Sequence, residues 1–390
     1  MRIFDELSSR AAQWVIADTL YFNSTTYSFV RGDVEIDGSR IKRILPPKTS
    51  RRTNTLLGHE IVCVPGLVNP DVGLGPCDWN THAHELARCG ITTAGAFHRG
   101  PPDFDTFAPS EGVRRLIYVE LGEADAQRAG TGAGAGINRQ AMEAFERAAN
   151  ANAYCNYTVF PALVPGEIWS SASLLAVDAI AQRLGRRLCV RLSRTKSEAD
   201  NYKETRFFTE IGLLSYLAIL RNDTTVFELS QLSRRDAIML RDSAANLVCA
   251  PEAMNTPLIE QHGTMLWLKD RAVGLSINRD AIADLNRYAS LILSSMSLMH
   301  RSENVTQTCN ALVDSLTHSA ALALGIGDIG AIAPEMRADL CLFSRPADLH
   351  GGRDSLYFIK LLVSGRPRHV LIDGRPVVVD GAVVGELAQV

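Results

Sequence analysis

Two arginines three positions apart, Arg191 and Arg194, close an extended apolar stretch that runs from Arg187 to Ser193. A guanidinium is planar, stays protonated and donates hydrogen bonds as a fork. A pair of them therefore suits a carboxylate or a phosphate, and equally suits a permanent pairing with nearby carboxylates. It has no lone pair, so it can neither ligate a metal nor act as a general base. Arg183, Arg186, Arg187 and Lys196 extend the basic run, and its first half reads as a helix end, where cations are favourable without any function. His98 follows the β-like run Gly90 to Ala96, and both a hydrogen-bonding and an acid/base role stay open for it. Glu120 ends the apolar segment Tyr118-Val119-Glu120 and is a candidate general base. His82 and His84 spell His-Ala-His within a helical run, where side chains two apart do not face each other. His59, His262, His300, His318, His350 and His369 show no ligand spacing.

The chain has 390 residues, a formal net charge of -3 and 46% hydrophobic residues. Near-balanced charge argues against a general polyanion binder, and the composition is that of a globular chain with a sizeable core. The eight cysteines form no Cys-x-x-Cys pair, and Cys63, Cys189, Cys249 and Cys341 lie in apolar runs. Buried thiols in a reducing compartment are expected rather than a disulfide framework. Cys77 has no base beside it. The first residues lack a basic-then-apolar start, and no apolar run is long enough to span a membrane, so a cytoplasmic protein is expected.

The elements that must position the candidate residues fall into two kinds. Near the start, Trp14 to Leu20, Thr25 to Val30 and Asp33 to Ile44 read as strands, the last with an Asp37-Gly38 turn. Near the end, Ala338 to Phe343, His369 to Asp373 and Pro376 to Val379 read the same way, with turns at Asp373-Gly374 and Asp380-Gly381. Neither half buries a full face alone, so the two are expected to pair. Between them, helical and extended stretches alternate. Arg187 to Ser193, Thr225 to Leu229, Asn246 to Ala250 and Ala272 to Ile277 are extended; Ser170 to Leu184, Phe207 to Leu220, Arg234 to Ser243, Asn286 to Met299 and Val305 to Leu324 are helical. This alternation predicts a parallel sheet, and a (β/α)8 barrel fits the count of units better than an open sheet. The Gly130 to Gly136 tract lacks the Lys-Ser/Thr of a phosphate loop.

Several segments resemble the amidohydrolase superfamily, in its cytosine/guanine deaminase and chlorohydrolase-like branch. They are Gly32-Asp33-Val34 with Asp37-Gly38-Ser39-Arg40-Ile41, Val64-Pro65-Gly66-Leu67-Val68-Asn69, Gly90-Ile91-Thr92-Thr93, Val273-Gly274-Leu275 and the run Ile329 to Leu340. The resemblance implies a (β/α)8 barrel over residues 65–337 and a small β-sandwich built from residues 1–64 and 338–390. It also implies what stands at the family's metal site. Asp71 and Gly73 take the places of His-x-His, Arg191 that of a ligand His, and Arg194 that of the catalytic Glu. Glu228 takes the place of a further His, Gln231 that of a substrate-side His, and Asn278 that of the last Asp.

Such a set points away from the family's usual metal chemistry. The expected function is a metal-independent biosynthetic enzyme, such as a cyclase, lyase or amide-processing enzyme, with no metal and no other cofactor. Asp71, Glu228, His98 and Glu120 are the expected acid/base groups; Arg191, Arg194, Asn278 and Gln231 are the expected binding groups for a small polar or anionic molecule. Two alternatives stand beside it: a catalytically silent ligand-binding or partner subunit, and a metal-dependent hydrolase or deaminase with a displaced metal site. The expected partners are a small molecule and further subunits, identical or related, with neither nucleic acid nor membrane.

Overall fold

The computed structural model describes residues 13–73, 79–98, 112–121, 139–151, 157–163, 170–250, 273–277, 305–349 and 355–384. Asn278, Cys77, the glycine-rich tract and the helical stretch expected at Asn286 to Met299 lie outside them.

Both ends of the chain build one nine-stranded sheet. Its strands are β1 (Gln13–Asn23), β2 (Ser28–Asp37), β3 (Arg40–Leu45), β4 (Thr55–Leu57) and β5 (Ile61–Pro65) from the first part of the chain. From the last part of the chain come β14 (Leu340–Ser344), β15 (His369–Ile372), β16 (Arg375–Val379) and β17 (Ala382–Val383). The halves meet where β14 runs antiparallel to β5, from Leu340 opposite Pro65 to Ser344 opposite Ile61. Trp14, Ile16, Val34, Ile36, Leu340, Leu342 and Leu371 pack one buried cluster across the joint. Asp373-Gly374 and Asp380-Gly381 have positive φ at both residues, which the right-handed twist of a hairpin favours. Gly374 also abuts the Asp37-Gly38 turn, since a Cβ there would lie 2.2 Å from the Gly38 carbonyl oxygen.

The rest is a barrel of eight parallel strands: β6 (Leu67–Asn69), β7 (Ile91–His98), β8 (Arg114–Glu120), β9 (Tyr157–Leu163), β10 (Leu188–Arg191), β11 (Thr224–Phe227), β12 (Asn246–Cys249) and β13 (Val273–Leu275). Each pairs with its sequence neighbour, as successive βα units require. The described helices are α1 (Trp79–Arg88), α2 (Arg139–Ala151), α3 (Ser171–Arg183), α4 (Lys196–Arg206), α5 (Glu210–Tyr216), α6 (Arg234–Asp242), α7 (Val305–Leu316), α8 (His318–Ala323) and α9 (Ser355–Ser364). The expected fold class, a (β/α)8 barrel with a second β domain drawn from both ends, is therefore the observed one.

At the barrel seam, the Asn69 side chain does the work of a strand pair. Its amide nitrogen donates to the Ile277 carbonyl at 2.8 Å, and its oxygen accepts from the Ile277 amide at 3.0 Å. Inside the barrel, Phe97, Tyr118, Phe160 and Phe227 pack against Cys189 and Val248, with Ala320, Ala321, Ala323, Leu324 and Ile329 joining the same cluster. Tyr118 and Phe227 are 5.1 Å apart by ring centroids, as are Phe97 and Phe227. Gly95 makes room, because a Cβ there would lie 2.1 Å from the Tyr118 hydroxyl.

Three local expectations change. The helix expected over Phe207 to Leu220 occupies only Glu210–Tyr216, and an unexpected helix, Lys196–Arg206, precedes it. That helix is almost wholly polar, so periodicity does not reveal it, but its Thr195/Glu198 capping box does lie in the sequence. The single helix expected from Val305 to Leu324 is broken at Thr317, whose φ of -131 and ψ of -99 leave the helical region. Gly330 packs tightly on the Thr317 carbonyl there, 2.7 Å from where its Cβ would be.

Candidate functional site

Barrel strands deliver their last residues to one end, and loops after those ends carry the site in this architecture. Asp71 lies two residues past β6, His98 ends β7, Glu120 ends β8, Arg191 ends β10 and Glu228 directly follows β11. Arg194 is three residues beyond Arg191, just before helix α4. Five strands thus bring six of the eight sequence-nominated residues to the same mouth.

Asp71 is the hub. One carboxylate oxygen accepts from the Gly73 amide at 3.0 Å, a local turn that fixes its direction. The other lies 4.0 Å from Arg191 Nη1 and 3.8 Å from Arg194 Nη2. Those two separations are ion-pair distances, too long for hydrogen bonds. Arg194 spends its Nε on Glu228, 2.7 Å from Oε1. Arg191 lies with its guanidinium carbon 4.5 Å from the centre of the Phe97 ring, so it faces the barrel interior and its aromatic floor. Its Nε is buried with no hydrogen-bond partner among the described residues.

The electrostatics follow burial. Desolvation lowers the pKa of Arg191, and Asp71, Glu120 and Glu228 oppose that shift while Arg194 adds to it. Glu228 is raised by burial first, against the pull of Arg194, with the like charge of Asp71 adding to the rise. Its backbone is in the left-handed region, φ 62 and ψ 68, which a non-glycine residue adopts at a cost of about 1 kcal/mol or more. The side chain that this backbone aims is the one holding Arg194.

The connection carrying the two arginines is held from several sides. The Leu192 amide donates to the Phe227 carbonyl at 3.1 Å. The Arg194 and Thr195 amides donate to Glu198 Oε2 at 2.9 and 3.0 Å. The Arg194 carbonyl accepts from Gln231 Nε2 at 3.0 Å, so that amide, expected at the substrate, serves the loop backbone. Ser193 donates its amide to Glu210 Oε2 at 3.0 Å. Sequence reasoning singled out neither Phe97 nor Glu210: one reads as plain core, and a single buried acid gives no periodic signal. His82 and His84 lie on helix α1, the helical run expected for them.

No protein-family model and no curated protein sequence matches this chain. Solved structures do. A zinc complex of atrazine chlorohydrolase from Arthrobacter aurescens superposes with a TM-score of 0.74 at 14% identity, over 95% of this chain and 96% of that one. An adenosine deaminase from Xanthomonas campestris with bound zinc gives 0.72 at 15% identity, over 97% and 96%. An amidohydrolase from a Sargasso Sea environmental sample gives 0.71 at 17%, over 97% and 96%. At these identities the likeness establishes the fold. It also overturns the expectation of a metal-independent biosynthetic enzyme. The neighbours are hydrolases and a deaminase, two of them with zinc, and they favour the metal-dependent alternative over that reading.

Proposed function

We propose, on the premise of the amidohydrolase fold that the chain has, that this is a hydrolase-class protein working on a small polar, nitrogen-rich molecule at the barrel mouth. The neighbours' names, a chlorohydrolase for atrazine and a deaminase for adenosine, support displacement of a ring substituent by water as the reaction class. The observation in this chain that carries the reading is the convergence of Asp71, Arg191, Arg194 and Glu228 on one mouth, with Glu228 held in a strained backbone to reach it. Strain of that kind persists where the surroundings over-determine it, and it gathers at working sites.

The described residues do not fit a zinc centre on the neighbours' plan. Such a centre needs three protein ligands and an open position. Among the described residues no group of three His, Cys, Asp or Glu could hold a metal. Asp71 and Glu228 are already faced by guanidiniums, which repel a cation. A metal-dependent reaction therefore requires ligands from outside the described residues. The described groups supply binding and proton handling: Arg191 and Arg194 for acceptor atoms of the ligand, and Glu228 as a carboxyl that burial brings closer to neutral pH.

A second reading, a silent ligand-binding or partner subunit, has one observation in its favour. The closed Arg194–Glu228 pair and the flanked Asp71 fill positions that an active centre would need open. One experiment separates the two. The protein is purified with added zinc, its metal content is measured, and chloro- and amino-triazines and adenosine are offered while chloride and ammonia release are followed. The hydrolase reading expects about one equivalent of metal and product release. Metal well below that, with no release, overturns it in favour of the silent reading.

A further inference from the structure

Behind the arginine-bearing loop lies a carboxyl group whose surroundings suit it to control that loop. Glu210 opens helix α5 and is 8% exposed. One oxygen accepts the Ser193 amide at 3.0 Å, and Ser193 sits between Leu192 and Arg194. The other oxygen, Oε1, is buried with no hydrogen-bond partner among the described residues. Glu198, by contrast, holds the next two amides from its own helix, three and four residues away, at the exposed side. Of the two carboxylates that grip this loop, Glu210 is the one reaching it from a different helix and from the interior.

The groups facing Glu210 are mostly acidic or neutral. Helix α4 presents Glu198 and Tyr202, with Arg206 beside Tyr202; helix α6 presents Asp236; the loop presents the Ser193 amide and hydroxyl. Asp236 is itself tied to Thr209 Oγ1 at 2.5 Å and to Ser233 at 2.6 Å. Burial pushes Glu210 up to about 7, against the Ser193 hydrogen bonds and aided by the like charges of Glu198 and Asp236. An ionised carboxylate grips an amide more strongly than a neutral carboxyl does.

We propose that Glu210 is a positioning residue: by gripping the Ser193 amide from behind, it sets how Arg191 and Arg194 are presented at the mouth, tightly when ionised and loosely when protonated. The proposal rests on the mouth being the working site. Ligand capture there strengthens as pH rises through neutrality, with Glu210 itself contacting no ligand.

The test uses the full chain, wild type and Glu210→Gln, from about pH 5.5 to about pH 8.5, a range that brackets the Glu210 transition. Amide hydrogen exchange at Ser193, corrected for the intrinsic rate, is followed, and so is the Nε–H resonance of Arg194 in arginine-labelled protein, the latter with Glu228→Gln also present so that the carboxyl bonded to that Nε does not titrate. With Glu210 in place, Ser193 protection rises about tenfold across the range and the Arg194 resonance shifts with the same midpoint. In Glu210→Gln both are flat, while thermal melting confirms that the variant is folded. A flat wild-type profile, or a Glu210→Gln profile that still follows pH, overturns the proposal. Loss of the hydrolase reading would show instead as no turnover in either protein with the Ser193 titration intact.

Discussion

The two ends of the barrel use the same residue types and reach different states. At the base, where the barrel meets the nine-stranded sheet, Arg114 bonds Asp339 at 2.6 Å, Asp373 at 2.9 Å and Thr93 at 2.9 Å. Asp373 also takes Arg337 at 2.9 Å, and Arg337 and Arg40 share Asp328 at 3.0 and 2.9 Å. Each of these contacts is a hydrogen bond, and all but the one to Thr93 are ion pairs as well. Burial works against the charge on Arg114, but Asp339 and Asp373 outweigh it and raise its pKa. At the mouth Arg194–Glu228 closes at 2.7 Å, while the Asp71 carboxylate lies 4.0 and 3.8 Å from the Arg191 and Arg194 guanidiniums. The base is a satisfied network that ties two domains. The mouth sets its arginines at longer distances from Asp71 and carries Glu228 in a left-handed backbone.

The contrast can be broken most forcefully at the base. Arg114→Ala leaves Asp339 buried without its guanidinium and is expected to cost about 3–5 kcal/mol in denaturant unfolding. A loss under about 1 kcal/mol would remove the base from the comparison. Glu210→Gln should act next, with the opposite sign. The Glu210 pKa is raised on folding from 4.5 to about 7, so the folded chain holds that proton more tightly. Its contribution is fully present below the unfolded value and is lost as pH rises through the folded one. The variant should therefore melt like the wild type near pH 4 and be more stable by about 3 kcal/mol near pH 8. Equal gains at both pH values would contradict the titration. Arg194→Ala should cost about 1 kcal/mol or less in unfolding, because its side chain is 49% exposed, while removing ligand capture in equilibrium dialysis. A cost as large as at Arg114 would make the mouth a structural plug. Glu228→Gly should be closest to neutral: relief of the left-handed backbone offsets the lost pair, leaving melting within about 1 kcal/mol of the wild type.

The sequence discloses the base of this comparison poorly and the mouth well. Arg191 and Arg194 stand out because they end an apolar run, and the alternation of helix and strand says which end of a barrel they occupy. Asp71 and Glu228 need the resemblance, since isolated acids carry no local pattern. Arg114 reads as the polar start of a strand, and nothing near it in sequence announces Asp339 or Asp373, more than 200 residues away. Helix α4 is hidden by polarity and shown only by its cap. Function was the least legible. The expectation of a metal-free biosynthetic enzyme takes the chemistry of a few side chains as its guide, whereas the solved structures named above that share the fold are hydrolases and a deaminase.

The Asn69–Ile277 amide pair has a mechanical consequence. Among the described residues, β6 and β13 share no ladder, so this one carboxamide is the clasp of the ring. If the barrel breathes, it should part there first, and an Asn69→Asp carboxylate facing the Ile277 carbonyl would unfasten it. Asp71, two residues along the same backbone, would be carried outward with the parted stave, so the stiffness of the clasp also governs how long the hub of the mouth stays in register with its arginines.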